Sequence, residues 1–511
     1  MGLIRSTEDG RRASSRSSDE KPTSQTKDGN EGTGTTSGPA TTDEMMKILT
    51  RGSSSRLPPL KEVNKYPADI EAEYPRDIKL LNYLNLRPRR LVRLNSKQSI
   101  PANVLVTIVF FLWGFAYGFL NVLNENVALS IYGSWRTRAL SGAYFLGYLV
   151  VPCTIGRYIL RRFGFTAGFT SGLYIFALGT LLIWPSTVLL SFAISMVANA
   201  VIGSGLGIIE TTANLFIAMC GPLEYAEARL CAAQGCQGIG SLLSRLIAGY
   251  VVAPEVNNPQ DIINLQWAYL AICFYDVVLA IAFYYLPLPE APDDDMRQLG
   301  ERRSEENNAP VLGIPVFLVT LILGVWSQFF YIGAQETFVS GFHNFRRQVM
   351  PTTKLTDLDL DNIGTTAFAV CRFAVAVLQW KGFKPRYVLL IFYLGSVIVF
   401  AVCMNTSGTT SIVFALLSWL TLAPIFPIIF AISLRGTGVH AKTAAAFLAT
   451  AVGSGTFSAL LQHAVELSIG NPTAYVVTVA FASAGAIFPL YMNIVPAARR
   501  QVDPINDEYV H

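Results

Sequence analysis

From Ala102 onward the chain alternates apolar runs of about twenty residues with short polar breaks. A helix of that length rises about 30 Å, the thickness of a bilayer's hydrocarbon core. Backbone in lipid must satisfy its own hydrogen bonds, so runs this long restrict the fold to membrane-crossing helices. The runs lie near 103–131, 138–160, 166–184, 188–219, 230–252, 264–286, 312–340, 361–380, 386–404, 410–433, 442–467 and 473–495. A long polar connection, Leu288 to Pro310, splits them into equal sets. The expected fold is therefore an all-α membrane protein with twelve transmembrane helices in two six-helix bundles. Pseudo-symmetry is hinted at by FFLWGFAYG at 110–118 and FFYIGAQ at 329–335, which occupy corresponding places in the two halves. The domains expected are a disordered tail over 1–100, a first bundle over 101–286, a linker over 287–311, a second bundle over 312–496 and a short tail over 497–511.

Composition agrees. Of 511 residues 51% are hydrophobic and only 14% charged, well below the ~25% usual in soluble domains. A net charge of +4 gives no reason to expect nucleic acid, and no nucleic-acid module is visible. The basic residues collect at the ends of alternate breaks: Arg157, Arg161, Arg162, Arg229, Arg297, Arg302, Arg303, Lys381, Lys384, Arg386, Arg435, Lys442, Arg499 and Arg500 share one side. The positive-inside rule makes that side cytoplasmic, with both termini on it. The seven cysteines show neither a disulfide framework nor metal-ligand spacing and read as packing residues. No cofactor is expected. The tail, rich in Ser, Thr, Gly and charge, has too little apolar material for a core and no signal-peptide core. Its end, Asp77 to Leu94, is compatible with a short interfacial helix.

Within GSGLGIIETTANLFIAMCGP, residues 203–222, one carboxylate, Glu210, interrupts an apolar run. A charge at mid-bilayer depth costs at least ~2.5 kcal/mol and persists where it faces a bundle interior, a partner or a water-filled cavity. Gly203, Gly207 and Asn214 share its helix face, which makes this a lining helix; a structural pairing with a neighbouring helix is the alternative. In the first span Trp113, Tyr117, Asn121 and Glu125 recur every fourth residue, a hydrogen-bonding stripe with aromatic faces. Such a stripe suits a polyol, whose C–H patches stack on rings while its hydroxyls meet amides, although interhelical packing would use the same residues. The fifth span carries Gln234, Gln237, Ser241 and Arg245, and the seventh Gln328, Tyr331 and Gln335. Arg372, deep in the eighth span, could meet a carboxylate across a central cavity. Arg245 and Asp276 read as a structural pair within the first half, and Glu336 as an acid nearer a span end. The stripe Thr450, Ser454, Ser458 and Gln462 reads as close packing.

The stretches FFLWGFAYG (110–118), GAYFLGYLVVP (142–152), AGFTSGLYIFALGTLLIWP (167–185), ETTAN (210–214), YIGAQ (331–335), PIFP (424–427) and GNPTA (470–474) resemble the fucose:proton symporter family of the major facilitator superfamily. The similarity runs through most of 101–495. It implies two membrane carboxylates, in the first and fourth spans, serving sugar binding and proton coupling. Glu210 matches the fourth-span acid, and Gln234 and Gln335 match polar motif positions. The first-span acid falls on Asn121, an amide that binds hydroxyls but carries no proton, with Glu125 one turn away as a substitute. Gln237 stands where the family has an asparagine.

The function expected is secondary active transport of a monosaccharide, a hexose or deoxyhexose, by alternating access with coupling to protons. Glu210, Glu125 and Arg372 would serve coupling; Trp113, Tyr117, Asn121, Asn214, Gln234, Gln237, Tyr331 and Gln335 would bind the sugar. The alternatives are a facilitative uniporter and a nutrient receptor on the same fold. An enzyme is not expected, since no nucleophile or metal constellation is present. The partners expected are the monosaccharide, the proton and membrane lipid. The chain is expected to be a monomer in the plasma membrane.

Overall fold

A computed structural model describes residues 90–123, 133–252, 259–286, 288–351 and 354–504. The N-terminal tail up to residue 89, most of the expected interfacial helix, and Glu125 lie outside these residues.

The first half contains α1 (Ser96–Leu123), α2 (Ser134–Val150), α3 (Arg157–Val188), α4 (Phe192–Met219), α5 (Ala226–Ile247) and α6 (Pro259–Tyr285). A linker helix, α7 (Asp293–Glu301), and a two-stranded hairpin, β1 (Pro310–Val311) with β2 (Ile314–Pro315), follow. The second half contains α8 (Val316–Val349), α9 (Asp357–Trp380), α10 (Pro385–Asn405), α11 (Gly408–Leu422) with α12 (Ile425–Leu434), and α13 (Ala441–Thr450) with α14 (Gly455–Ile469). It ends with α15 (Val476–Gly485) and α16 (Ile487–Ile494), before a short α17 (Pro496–Val502). Among the described residues, nine helical stretches are long and apolar enough to cross a membrane. One of them, Trp135–Val188, is 54 residues long and folds back at Gly164, so it contributes two crossings. With α5, which is more polar, and α6, the path of twelve crossings is complete.

Several helix ends differ from the pattern of apolar runs because polar residues make local bonds that hydropathy does not register. α1 begins at Ser96, several residues early, where the Asn95 side chain accepts from the Gln98 backbone N–H at 2.9 Å. α8 continues to Val349, nine residues past the expected end at 340, with Arg346 and Arg347 tied to Asp357 at the start of α9.

The expected gap between the second and third crossings is a single residue. Gly164 has φ +82°, a conformation that favours glycine, and the helix resumes at once. The resumed helix is capped from far along the chain: the Glu290 carboxylate accepts from the backbone N–H groups of Phe165 at 2.8 Å and Thr166 at 3.0 Å. A Cβ at 164 would lie 2.5 Å from Glu290 Oε2, so the turn and the cap require each other. Replacing Glu290 with Ala strands two N–H donors in a buried place and should cost about 1–3 kcal/mol. Thermal unfolding in detergent checks this; a Glu290→Ala variant that melts like wild type would show that the cap carries no weight.

α1 and α5 meet backbone to backbone. A Cβ on Gly114 would lie 1.9 Å from the Gln237 carbonyl oxygen, and one on Gly240 would lie 2.1 Å from that of Phe111. That approach sets the polar faces of the two helices side by side, facing the second half.

The second half has its own interruption. Pro424 and Pro427 lack N–H groups, so the carbonyls of Leu420 and Ala423, four residues before them, lose their helical partners. α11 therefore ends at Leu422 and α12 begins at Ile425. The carbonyls find other donors: Leu420 O accepts from the Ala423 N–H at 3.3 Å and is reached by Cys371 Sγ at 3.4 Å, and Arg372 Nε donates to Ala423 O at 2.8 Å. A second break, a 3-10 turn at Ala451–Ser454 between α13 and α14, lies against α2, with Gly453 on Leu149 and Gly455 on Phe145.

Candidate functional site

Between the halves lies a cavity walled by side chains from both. The first half supplies Trp113 and Tyr117 from α1, Tyr144, Phe145 and Tyr148 from α2, Glu210 from α4, and Gln234, Gln237, Ser241 and Arg245 from α5. Facing them are Gln335 and Glu336 from α8, Thr365, Phe368 and Arg372 from α9, Trp419 from α11 and Phe426 from α12.

Of the residues singled out in the sequence, Trp113, Tyr117, Glu210, Gln234, Gln237, Gln335 and Arg372 line this cavity together. Asn214 and Tyr331 stand one layer behind. Asn214 Oδ1 accepts from Gln234 Nε2 at 3.0 Å, and the Tyr331 hydroxyl donates to Gln335 Oε1 at 2.7 Å, with Leu422 O at 3.1 Å as its other acceptor in reach. They orient the two glutamines. The Asn121 side chain lies outside the described residues.

Glu210 is 1% exposed, and neither of its carboxyl oxygens has a hydrogen-bond partner among the described residues. The phenol of Tyr148 is a neighbour, also without a completed hydrogen bond. Trp113 Nε1, Trp419 Nε1, Thr365 Oγ1 and Gln234 Oε1 are likewise unpaired. Buried polar atoms are normally hydrogen-bonded, so a group of orphans around one cavity marks a place built to meet polar groups of something else.

Arg372 differs from expectation. Among the described residues it makes no ion pair with a carboxylate. Its Nε holds Ala423 O, its Nη1 donates to Gln234 O at 2.9 Å and to Gln237 Oε1 at 3.3 Å, and its guanidinium stacks over Phe368 at 4.2 Å. One planar, multidentate side chain thus joins α9, the α11–α12 break and α5, tying the halves together at the cavity.

Arg245 and Asp276 do not pair. Arg245 reaches across to the second half, 3.3 Å from Asp361 Oδ2 on α9, and His343 Nε2 meets the same oxygen at 2.9 Å. Asp276 stays within the first half, its Oδ2 unpartnered. The spacing of Arg245 and Asp276 within one half suggested proximity, but α5 packs on α9 and turns that face of Arg245 outward from its own bundle.

Ion pairs join the halves on both sides of the cavity. Towards the side with the linker, Arg435 lies 2.6 Å from Glu227; towards the other, Arg138 lies 3.3 Å from Glu466.

Tyr144, Tyr148, Thr365 and Trp419 were not singled out as site residues. For Tyr144 and Tyr148 the signal was present, since they repeat at an interval of four around Gly147. Glu336 was read as lying near a span end. With α8 running from 316 to 349 it is interior.

No protein-family profile matches the chain. Among curated proteins, the L-fucose-proton symporter of Escherichia coli (strain K12) is 21% identical over 400 residues, covering 74% of this chain and 90% of that protein. The glucose/galactose transporter of Brucella abortus biovar 1 (strain 9-941) is 24% identical over 390 residues, covering 73% and 90%. Among solved structures, the major facilitator transporter FucP in its outward conformation matches with a TM-score of 0.65 at 20% identity, over 77% of this chain and 99% of that one. The proton:xylose symporter XylE matches with a TM-score of 0.59 at 16% identity, over 79% and 97%. By fold the chain is a multi-pass membrane protein of the major facilitator type, with two six-helix halves. More particularly, it is similar to the fucose:proton symporters, and the relatives it resembles are named as transporters, not enzymes.

Proposed function

We propose that the protein carries a monosaccharide across a membrane by alternating access, coupled to the movement of protons. The observation that carries this reading is the cavity between the halves, where aromatic faces from five helices surround unpaired donors and acceptors. Sugars present both surfaces, C–H patches and hydroxyl rings. The relatives named for fucose, glucose and galactose support the substrate class.

In this mechanism Trp113, Tyr117, Gln234, Gln237 and Gln335 hold the sugar, with Asn214 and Tyr331 orienting the amides and Asn121 adding to the first-helix stripe. Glu210 takes up a proton when the cavity faces one side. A carboxyl in low dielectric is most readily accommodated neutral, so its protonation favours closure around the sugar. Opening to the other side rehydrates the carboxyl and releases the proton. Arg372 carries the first half's state to the second through its bonds to α5. Glu125 supplies a second acid on the first-helix stripe. Residues 1–100 and 497–511 are tails, 101–286 and 312–496 the two halves and 287–311 the linker. Both termini face the cytoplasm and the protein acts as a monomer in the plasma membrane, surrounded by lipid.

The test is counterflow in proteoliposomes with hexoses, deoxyhexoses and polyols, followed by an imposed pH gradient. The expected result is exchange of one sugar class and its accumulation on the alkaline side, abolished by a protonophore. No exchange of any sugar would overturn the reading. Asn121, standing where the family resemblance places an acid, favours a second reading as a facilitator; sugar that exchanges without accumulating would decide for it.

A further inference from the structure

We propose that Glu336 is the second working carboxyl of this carrier, placed on the second half of the molecule and opposite Glu210, in the role that the resemblance assigns to an acid on the first helix. This rests on the transport reading above.

Glu336 is 8% exposed and lines the cavity from α8. Among the described residues it makes no ion pair. Gln335 Nε2 donates to its Oε1 over a long 3.4 Å. The phenol of Tyr117, on α1 of the other half, lies within its reach. Tyr117 is one helical turn from Asn121 in the sequence, so Glu336 faces that stretch of α1.

The groups around it are suited to a carboxyl that changes state. From α5 comes Arg245, but Asp361 on α9 already occupies that guanidinium and also holds His343 of α8 itself. From α9 comes Arg372, committed to carbonyls and to Gln237. Tyr144 and Tyr148 of α2 and Glu210 of α4 complete the titratable groups facing the cavity; α11, α12 and the 3-10 turn contribute Trp419, Phe426 and Val452, which are uncharged. A neutral Glu336 can donate to a sugar hydroxyl or to Tyr117 and so draw the halves together. An ionised one can only accept, and it is solvated best when the cavity opens. With acids on opposing halves, a bound sugar bridges them, and the one proton carried per sugar is shared between the two before it returns to water on the far side, so neither acid sustains coupling alone.

Three proteins in proteoliposomes test this: wild type, Glu336→Gln and Glu336→Asp. Glu336→Gln should lose accumulation in a pH gradient while exchange, weakened where the carboxyl meets the sugar, stays measurable, whereas Glu336→Asp should recover part of the accumulation. Accumulation by Glu336→Gln equal to that of wild type overturns the assignment, as does equal loss of exchange in both variants, which would mark a structural role. A readout on wild type alone covers misfolding of the variants and separates this assignment from the transport reading. Dicyclohexylcarbodiimide, which modifies neutral carboxyls in apolar surroundings, should label Glu336 more at acidic than at alkaline pH, with sugar slowing the reaction. Glu336 that never labels, or labels without regard to pH, overturns the proposal whether or not a transported sugar has been found. Absence of exchange with every sugar, by contrast, overturns the transport reading first.

Discussion

Glu210→Gln is expected to leave sugar exchange intact and to remove concentrative uptake altogether. The substitution keeps the size of the side chain and its capacity to meet hydroxyls, but a carboxamide binds no exchangeable proton at neutral pH. With one proton per sugar, a pH gradient of one unit supplies about 1.4 kcal/mol, or a roughly tenfold concentration ratio. Wild type should approach that ratio and the variant should stop at equal concentrations, as read by labelled sugar inside vesicles. The site makes the separation of the two effects plausible on physical grounds. Neither Glu210 oxygen is bonded to protein among the described residues, so the amide breaks no internal contact. Undiminished accumulation by Glu210→Gln would exclude this residue as the proton carrier.

Arg372 gives the second large effect, and of a different kind. It is 5% exposed, and its bonds span three helical elements from both halves. Arg372→Ala leaves Ala423 O, which Pro427 already deprives of a helical donor, without any partner in a buried place. Each such loss costs about 1–3 kcal/mol, so exchange at saturating sugar should fall by roughly a hundredfold, equivalent to about 2.8 kcal/mol. Arg372→Lys keeps the charge but not the planar fork, and should recover only a small part. Exchange rates for both variants, beside their melting temperatures, check this; wild-type exchange by Arg372→Lys would show that charge alone suffices.

The sequence conveyed the helices and much of the cavity wall for the same physical reason. Lipid forces apolar residues onto helices of fixed length, and the few polar residues that remain must face inward. Glu210, Gln234, Gln237, Gln335 and Arg372 stand out as exceptions to apolarity, Trp113 and Tyr117 by their four-residue spacing, and the cavity gathers them. What escaped depends on which helix packs against which. Arg245 was assigned to Asp276 because both belong to one half, whereas α5 rests on α9 and brings it to Asp361. For Arg372 charge suggests a carboxylate, whereas Pro427 frees the Ala423 carbonyl and α5 supplies Gln234 O and Gln237 Oε1, uncharged acceptors that hydropathy does not reveal. Glu336 was displaced in the sequence reading by an end drawn at 340, since the amphipathic last turns of α8 look like a loop.

The bond from Glu290 to the start of the third crossing reaches over more than a hundred residues, from just beyond α6 back to Phe165 and Thr166. The first half is thus not self-sufficient at Tyr285, where its last long helix stops. If the two halves were produced as separate polypeptides and left to find one another, the break would have to fall after Glu290. A cut nearer the helix would hand the keystone of one half to the other.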